Sequence, residues 1–585
     1  MKKILLFLLL FSILAVCRTE AQSPATIVPY PEQIDIMEDE LLLKNGYSVC
    51  VEEGLAPLAQ LFIDDIYRLF QIKGKISSTK GSVVLARDKT MKGQQYRIES
   101  GKKQITVTGK NYEDISMGVT TLIQLSRKCG KTAGIPYVSI TDGSAQDYRA
   151  LSLDVARKPI DIETVKQCVE LCRWYKLRYM QIHLTDDQQF TFPSKAFPKL
   201  ATPGASYTLE ELKDLVEYAK VRGITLIPEF DVPGHTRTLK RAYPEIFGRS
   251  SVLDMTNEKA REAVKTIMKE MMDVFYTSPY FHIGGDEAWI APYARQEHVK
   301  EYILEKGYKD AMDIYLEFLV DLNGFIKGNG KQTIVWEGFP DKGSEKITIP
   351  NDILVIAWET MYQTPQSLLK NGYTIINASW QPCYVCPRST RRWNPEHIYG
   401  WNIHRWEHFG KKAPAYNPIQ FDGDVYIKGA LMCSWEMNDA FQIASLHQRI
   451  PAFSEVAWRG KTQRSFEDFQ SRYKETDRKF MQLIFPAVLK QEGFQKNDQL
   501  YDDDYEGKAA TTGRVTLETS SLLPGTFVTY TEDGSKPTAD SPRFTQLEIK
   551  EDKEIRFGIF TEEGKMIGYR NVFYRIQPSE RQKNR

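Results

Sequence analysis

From about residue 149 the chain alternates short apolar runs with amphipathic helical stretches, and the alternation repeats eight times. The runs are ALSLDVA (150–156), YMQIHLT (179–185), TLIPEF (225–230), YFHIGGD (280–286), TIVWEG (333–338), ILVIAWE (353–359), TIINAS (374–379) and GALMCSWE (429–436). Helix-period segments such as 208–222, 257–276 and 310–327 fall between most of them. Eight such units predict a multidomain α/β chain built around a (β/α)8 TIM barrel, with its site at the C-terminal ends of the strands. The competing arrangement, a doubly wound open sheet, calls for a glycine-rich phosphate turn after the first strand. The residues there, Asp154-Val155-Ala156-Arg157-Lys158-Pro159, are not one.

The strand ends carry the chemistry. They present Arg157; His183, Asp186 and Asp187; Glu229, Asp231 and His235; His282, Asp286 and Glu287; Trp336 and Glu337; Trp358 and Glu359; and Trp435 and Glu436. Polar or aromatic groups at seven of eight ends describe a pocket. In FHIGGDEAW (281–289) two glycines stop an apolar run and two adjacent carboxylates follow. Glycine lets the backbone turn sharply there, and charge at a buried strand end is costly enough to need a purpose. Taken alone, Asp286 and Glu287 could also cap a following helix or bind a hard cation. After the seventh strand, a long loop from 380 to about 428 holds Tyr384 and a basic cluster, Arg388, Arg391 and Arg392.

The flanks read as accessory modules. Residues 1–21 have two lysines and an apolar run, as in a secretory signal with cleavage after Ala21; lipidation at Cys17 ranks second. Residues 24–145 mix alternating strands (VVLAR, QYRIES, QITVTGK) with helical segments at 55–73 and 111–128, an α+β domain. The barrel spans 148–465, a helical connector 466–507, and a C-terminal β-sandwich 508–578, packed on the barrel. No later stretch is apolar and long enough for a transmembrane segment, so the mature chain is expected to be exported, periplasmic or secreted. A formal net charge of +1 gives no reason to expect a nucleic-acid or membrane partner. Cys168 and Cys172, one helical turn apart, suggest buried helix-face positions, and the lone Cys383-x-x-Cys386 has no second pair to complete a zinc site.

Adjacent carboxylates restrict the reaction they can serve. Ordinary glycoside hydrolysis needs two carboxyls on opposite sides of the sugar, roughly 5 to 9.5 Å apart, and neighbours on one turn are poorly placed to straddle a ring. A 2-acetamido sugar avoids the problem because its own carbonyl oxygen can attack the anomeric carbon. Asp286 would then orient the acetamido N–H, and Glu287 would give and later take the leaving-group proton. Trp336, Trp358 and Trp435 would wall the sugar and exclude water.

The chain closely resembles the family 20 glycoside hydrolases, the β-N-acetylhexosaminidases. The matching motifs are LDVAR (153–157), HLTDDQ (183–188), FPKLATPGASYT (197–208), IPEFDVPGH (227–235) and HIGGDE (282–287), extended by VWEG, AWE and CSWE. YTEDGSKPTADSPRF in the tail is similar to the C-terminal domain of some chitobiases. The resemblance implies that Arg157 holds O3 and O4 of the terminal sugar, that Asp186 and His235 support the proton donor, and that the Tyr384 hydroxyl meets the acetamido oxygen. It implies a glycan substrate and no cofactor; a metal held by His183, His235 and His282 is the alternative reading of those histidines.

Two positions depart from the family. Its acid two residues after the catalytic tyrosine is Cys386 here, and its glutamate two residues after the last-strand tryptophan is Met437, with Glu436 displaced by one. Loss of both carboxylates beside O6, with Arg388 near, leads to the expectation that 6-O-sulfated N-acetylglucosamine is accepted. An internal or disaccharide-releasing mode, or a glycan-binding protein of weak activity, are the alternatives.

Overall fold

The computed structural model describes residues 26–101, 103–341, 346–387, 393–423, 425–496 and 507–576. The expected signal segment (1–21) and Arg388, Arg391 and Arg392 lie outside the described residues. Contacts divide the chain into two compact units, residues 1–143 with 464–483, and 144–463 with 484–585.

The second unit contains the barrel, as the alternation predicts. Its strands are β1 (Tyr148–Asp154), β2 (Tyr179–His183), β3 (Thr225–Glu229), β4 (Tyr280–His282), β5 (Gln332–Trp336), β6 (Leu354–Ala357), β7 (Thr374–Asn377) and β8 (Gly429–Ser434). All neighbours pair in parallel, and β8 joins both β7 and β1, which closes the ring. Tyr148, Ile227, Tyr280, Ile334, Leu354, Ile376 and Leu431 fill its interior. The connecting helices start where side chains satisfy their first N–H groups. Thr208 and Glu211 form a reciprocal capping box on Leu209–Val221, while Asp161, Asn257 and Asp310 cap Ile162–Trp174, Glu258–Val274 and Ala311–Gly328. Cys168 and Cys172 are buried on Ile162–Trp174, and none of the seven described cysteines is in a disulfide.

The tail in this unit is a sheet of six strands, the first being Val488–Lys496. Where two facing sheets are expected, the ladder is continuous, because Gly507–Glu518 changes partner along its length: residues 507–509 pair with 574–576 and residues 513–516 with 546–549. It packs on barrel helices, with Phe441 edge-on to Phe573 at 5.5 Å, Asn571 donating to Asp439 at 2.6 Å, and Lys536 3.0 Å from Glu163.

In the first unit, the eight-stranded sheet carries helices Ala56–Phe70 and Tyr112–Leu125. The predicted helical connector 466–507 is corrected here. Helix Phe466–Ile484 joins this unit instead, where Arg472 donates to the Ile27 carbonyl at 2.6 Å and buried Lys479 to those of Gln124 and Ser126 at 2.7 Å. Its continuation, Val488–Lys496, pairs among the described residues only with Gly507–Glu518, as an edge strand, so its charged residues mask the alternation a central strand would show. No helix among the described residues is long and apolar enough to cross a membrane.

Candidate active site

Strand β4 ends at His282, and Gly284 and Gly285 then adopt φ of +66° and +97°. A side chain at Gly284 would begin 1.8 Å from the Asp231 carboxylate, so only glycine lets the two strand ends approach. Glu287 follows with φ +47°, and His235, Thr360 and Glu436 at other strand ends also have positive φ (+48°, +65° and +60°). Non-glycine residues keep that conformation only where their surroundings enforce it, and such positions gather at functional sites.

A line of charged groups crosses the rim. The Arg157 guanidinium lies 2.8 Å from Asp186 and 3.3 Å from Asp154, and 5.0 Å above the Trp435 ring. The other Asp186 oxygen is 3.3 Å from His235 Nδ1, and His235 Nε2 is 3.2 Å from the Glu287 carboxylate. Burial opposes a charge on His235, but Asp231, Asp186 and Glu287 outweigh it and push its pKa up to about 12. Burial likewise opposes ionisation of Asp186, yet hydrogen bonds from His183 and His235 with the charge of Arg157 hold it far below the usual carboxylate range. The His235 contact also lowers Glu287, whose side chain is 51% exposed.

Asp286 differs from its neighbour. Its carboxyl is buried, Oδ1 has no hydrogen-bond partner among the described residues, and burial followed by the charge of Asp231 raises its pKa well above the ordinary value. A buried acceptor without a donor costs free energy on the order of 1–3 kcal/mol, which a ligand N–H would recover.

Four aromatic rings form the walls. Trp336 and Trp358 have centroids 6.4 Å apart, Trp358 and Tyr384 5.9 Å, Tyr384 and Trp435 6.1 Å, and Trp435 and Trp336 5.8 Å, a closed circuit. Tyr384 is brought in by a two-residue strand, Tyr384–Val385, paired in parallel with Cys433 and Ser434 of β8. Cys386 and Met437, the residues just beyond, are buried and uncharged.

Some strand-end residues serve the scaffold. Glu337 does not face the pocket: it accepts backbone N–H groups of Thr360, Tyr362 and Gln363 at 2.7, 2.8 and 3.1 Å, pinning the turn after β6. Asp154 accepts from the N–H groups of Ala156, Arg157 and Glu436, each at 3.0 Å, tying β1 to the end of β8. Trp380 packs on Tyr384 at 4.2 Å. Asp154, three residues before Arg157, and Trp380, directly after the seventh apolar run, were both open to detection but lack a distinctive spacing.

The three histidines do not converge. Among the described residues, the clusters with metal-ligand spacing are His183, Glu229 and Asp231, and Asp231, His235 and Asp286, each with one histidine. Both His183 and His235 stand between carboxylates that outweigh their burial and raise their pKa, to about 10 and about 12.

Gly338 packs against the turn, where an added Cβ would lie 2.6 Å from the Asp286 Cα. Displacement on the order of 1 Å costs about 100-fold in a reaction that depends on alignment. Gly338→Ala is therefore expected to lower kcat/KM on an aryl β-N-acetylglucosaminide, the substrate class the sequence resemblance implies, by about that factor. The displaced atoms are backbone, so its thermal midpoint should fall as well, and unchanged kinetics would contradict the placement of Asp286.

The glycosyl hydrolase family 20 catalytic-domain model matches residues 147–461, the family 20 domain 2 model residues 25–143, and the chitobiase/beta-hexosaminidase C-terminal domain model residues 505–568. A beta-hexosaminidase of Porphyromonas gingivalis is 24% identical, over 94% of this chain and 75% of that protein. Two solved structures share the fold at 21% identity: a family 20 exo beta-N-acetylglucosaminidase from Vibrio harveyi in complex with N-acetylglucosamine (TM-score 0.66, 78% of this chain and 77% of that one) and a beta-N-acetylhexosaminidase from Bacteroides fragilis (TM-score 0.67, 78% and 95%). The family model spans more than half of the chain, and its boundaries coincide with the barrel that carries the charged rim and aromatic walls. The chain belongs to glycosyl hydrolase family 20 and is a glycoside hydrolase of the β-hexosaminidase type.

Proposed function

We propose that the protein is an exo-acting, retaining β-N-acetylhexosaminidase that removes terminal β-linked N-acetylglucosamine by substrate-assisted catalysis. The observation that carries this reading is the buried Asp286 carboxyl with an oxygen that no protein group satisfies, beside a half-exposed Glu287. An acetamido N–H supplies the missing donor. Its carbonyl oxygen then attacks the anomeric carbon as the glycosidic bond breaks, and Glu287 gives its proton to the departing oxygen. Asp286 offsets the charge of the oxazolinium intermediate, and the Tyr384 hydroxyl steadies the acetamido oxygen from the aromatic wall. Water then adds to the anomeric carbon, Glu287 takes back a proton, and two inversions give net retention. A bound glycoside excludes water from Glu287, which raises its pKa and supports the acid form the first step requires. Arg157 is the reader of O3 and O4, and export fits a glycan substrate outside the cytoplasm.

A second reading concerns the O6 edge. Cys386 and Met437 carry no charge where the family sets carboxylates, which favours acceptance of a 6-O-sulfate on the terminal sugar. The contribution of Arg388 to this reading rests on sequence alone. A plain and a 6-O-sulfated aryl β-N-acetylglucosaminide, compared on purified protein, test both parts. A higher kcat/KM on the sulfated substrate supports the uncharged edge as a sulfate site, and release of single sugars, not disaccharides, from the end of a β-linked N-acetylglucosamine oligomer supports exo action. Preference for the plain substrate overturns the sulfate reading, and inactivity on both overturns the main one.

The pH profile gives a further test. Asp286 acts as an anion in this reading, and burial with the Asp231 charge raises its pKa in the empty site above that of Glu287. Asp231→Asn removes the like charge and lowers that pKa, so the alkaline limb of kcat/KM, which the higher of the two pKa values sets, should move to lower pH. A limb that stays in place, or moves upward, would count against Asp286 as the ionised partner.

A further inference from the structure

Glu229 closes β3 and is fully buried beneath the site. One of its oxygens accepts the Trp336 indole N–H at 2.7 Å and lies 3.4 Å from His282; the other accepts from Gln181 at 2.9 Å and is 3.1 Å from His183 Nδ1. The second His183 nitrogen is 2.9 Å from the Asp186 oxygen that also meets Arg157. Asp186 continues to His235 and His235 to Glu287, at 3.3 and 3.2 Å. Five ionisable groups of alternating sign thus run from the buried end of β3 to the half-exposed Glu287 carboxyl.

The other groups around the line support this order. His282 accepts the Gly284 N–H at 2.9 Å, and burial keeps it neutral, with its pKa lowered to about 4, so the cation opposite Glu229 is His183. Burial would raise Glu229, but the His183 charge and the Trp336 N–H hold it below the usual carboxylate range. Asp231 and Asp286 face His235 from the ends of β3 and β4, and Arg157 faces Asp186 from the end of β1. A fully buried carboxylate with four polar neighbours is costly unless it fixes something.

We infer that Glu229 and His183 are positioning residues: from beneath the sugar they hold Asp186 ionised and oriented, and through His235 set the proton affinity and aim of Glu287, while Glu229 also anchors the Trp336 wall. The inference rests on the reading of Glu287 as proton donor. No bond changes at Glu229 or His183; protons pass only from Glu287 to the leaving oxygen and then from the attacking water to Glu287.

The test uses the full chain and two substrates with the same sugar, a 3,4-dinitrophenyl glycoside, which departs without a proton, and a methyl glycoside, which needs one. His183→Asn should lower kcat/KM on the methyl glycoside by at least about tenfold and on the dinitrophenyl glycoside by less than about threefold, the mark of lost acid catalysis. Glu229→Gln keeps an acceptor for Trp336 but removes a negative charge, which lowers the proton affinity of the groups above it. Its alkaline limb of kcat/KM should move to lower pH. Equal loss on both substrates, or an unmoved limb, would overturn the inference, since a purely structural role predicts both. Glu287→Gln separates the two levels. If it shows no dependence on leaving group, the proton-donor reading fails; if it does while His183→Asn does not, the positioning role alone fails. Where Glu229→Gln does not fold, checked by circular dichroism, His183→Asn decides.

Discussion

Closure of the barrel is the constraint on which everything else depends. Between β7 and β8 it rests on two residue pairs, Ile376 with Gly429 and Asn377 with Ala430. A side chain at Gly429 would begin 1.8 Å from the Tyr148 carbonyl oxygen, so the ring shuts only because that residue is glycine. A closed ring has no free edge, and it gathers eight strand ends on one rim. Groups far apart in sequence, such as Arg157 and Trp435, thereby come within 5.0 Å.

The gathered rim concentrates charge in a place where burial disfavours it, and the site resolves the conflict by pairing. Asp186 is faced by two histidines and an arginine, and Glu337 by three backbone N–H groups. Both are carboxyls with nothing left to offer a ligand. Asp286 differs from them: among the described residues its buried Oδ1 has no partner, and in the proposed reading a ligand N–H takes that place.

Much of this was legible in the sequence because it depends on period and order. Eight apolar runs separated by capped helices leave few other folds, and LDVAR, IPEFDVPGH and HIGGDE place charge at strand ends. Direction was less legible. Glu337 and Glu287 both follow apolar runs, yet one turns into a neighbouring loop and the other faces outward, a choice made by backbone N–H groups of residues 360–363. Val488–Lys496 was missed because an edge strand next to a helix shows no clean alternation. The continuity from Glu229 to Glu287 needs distances, since HLTDDQ, IPEFDVPGH and HIGGDE say only that the groups exist.

The central claim is that the nucleophile belongs to the substrate and that Asp286 and Glu287 serve it. It is tested most directly by kcat/KM for aryl glycosides whose N-acetyl group carries none, one, two or three fluorines. Fluorine withdraws electrons from the carbonyl oxygen while leaving the rest of the sugar unchanged. The account predicts a fall at each step, amounting to about tenfold or more across the series. Rates that do not respond to fluorination would mean that a protein group attacks the sugar, and would contradict it.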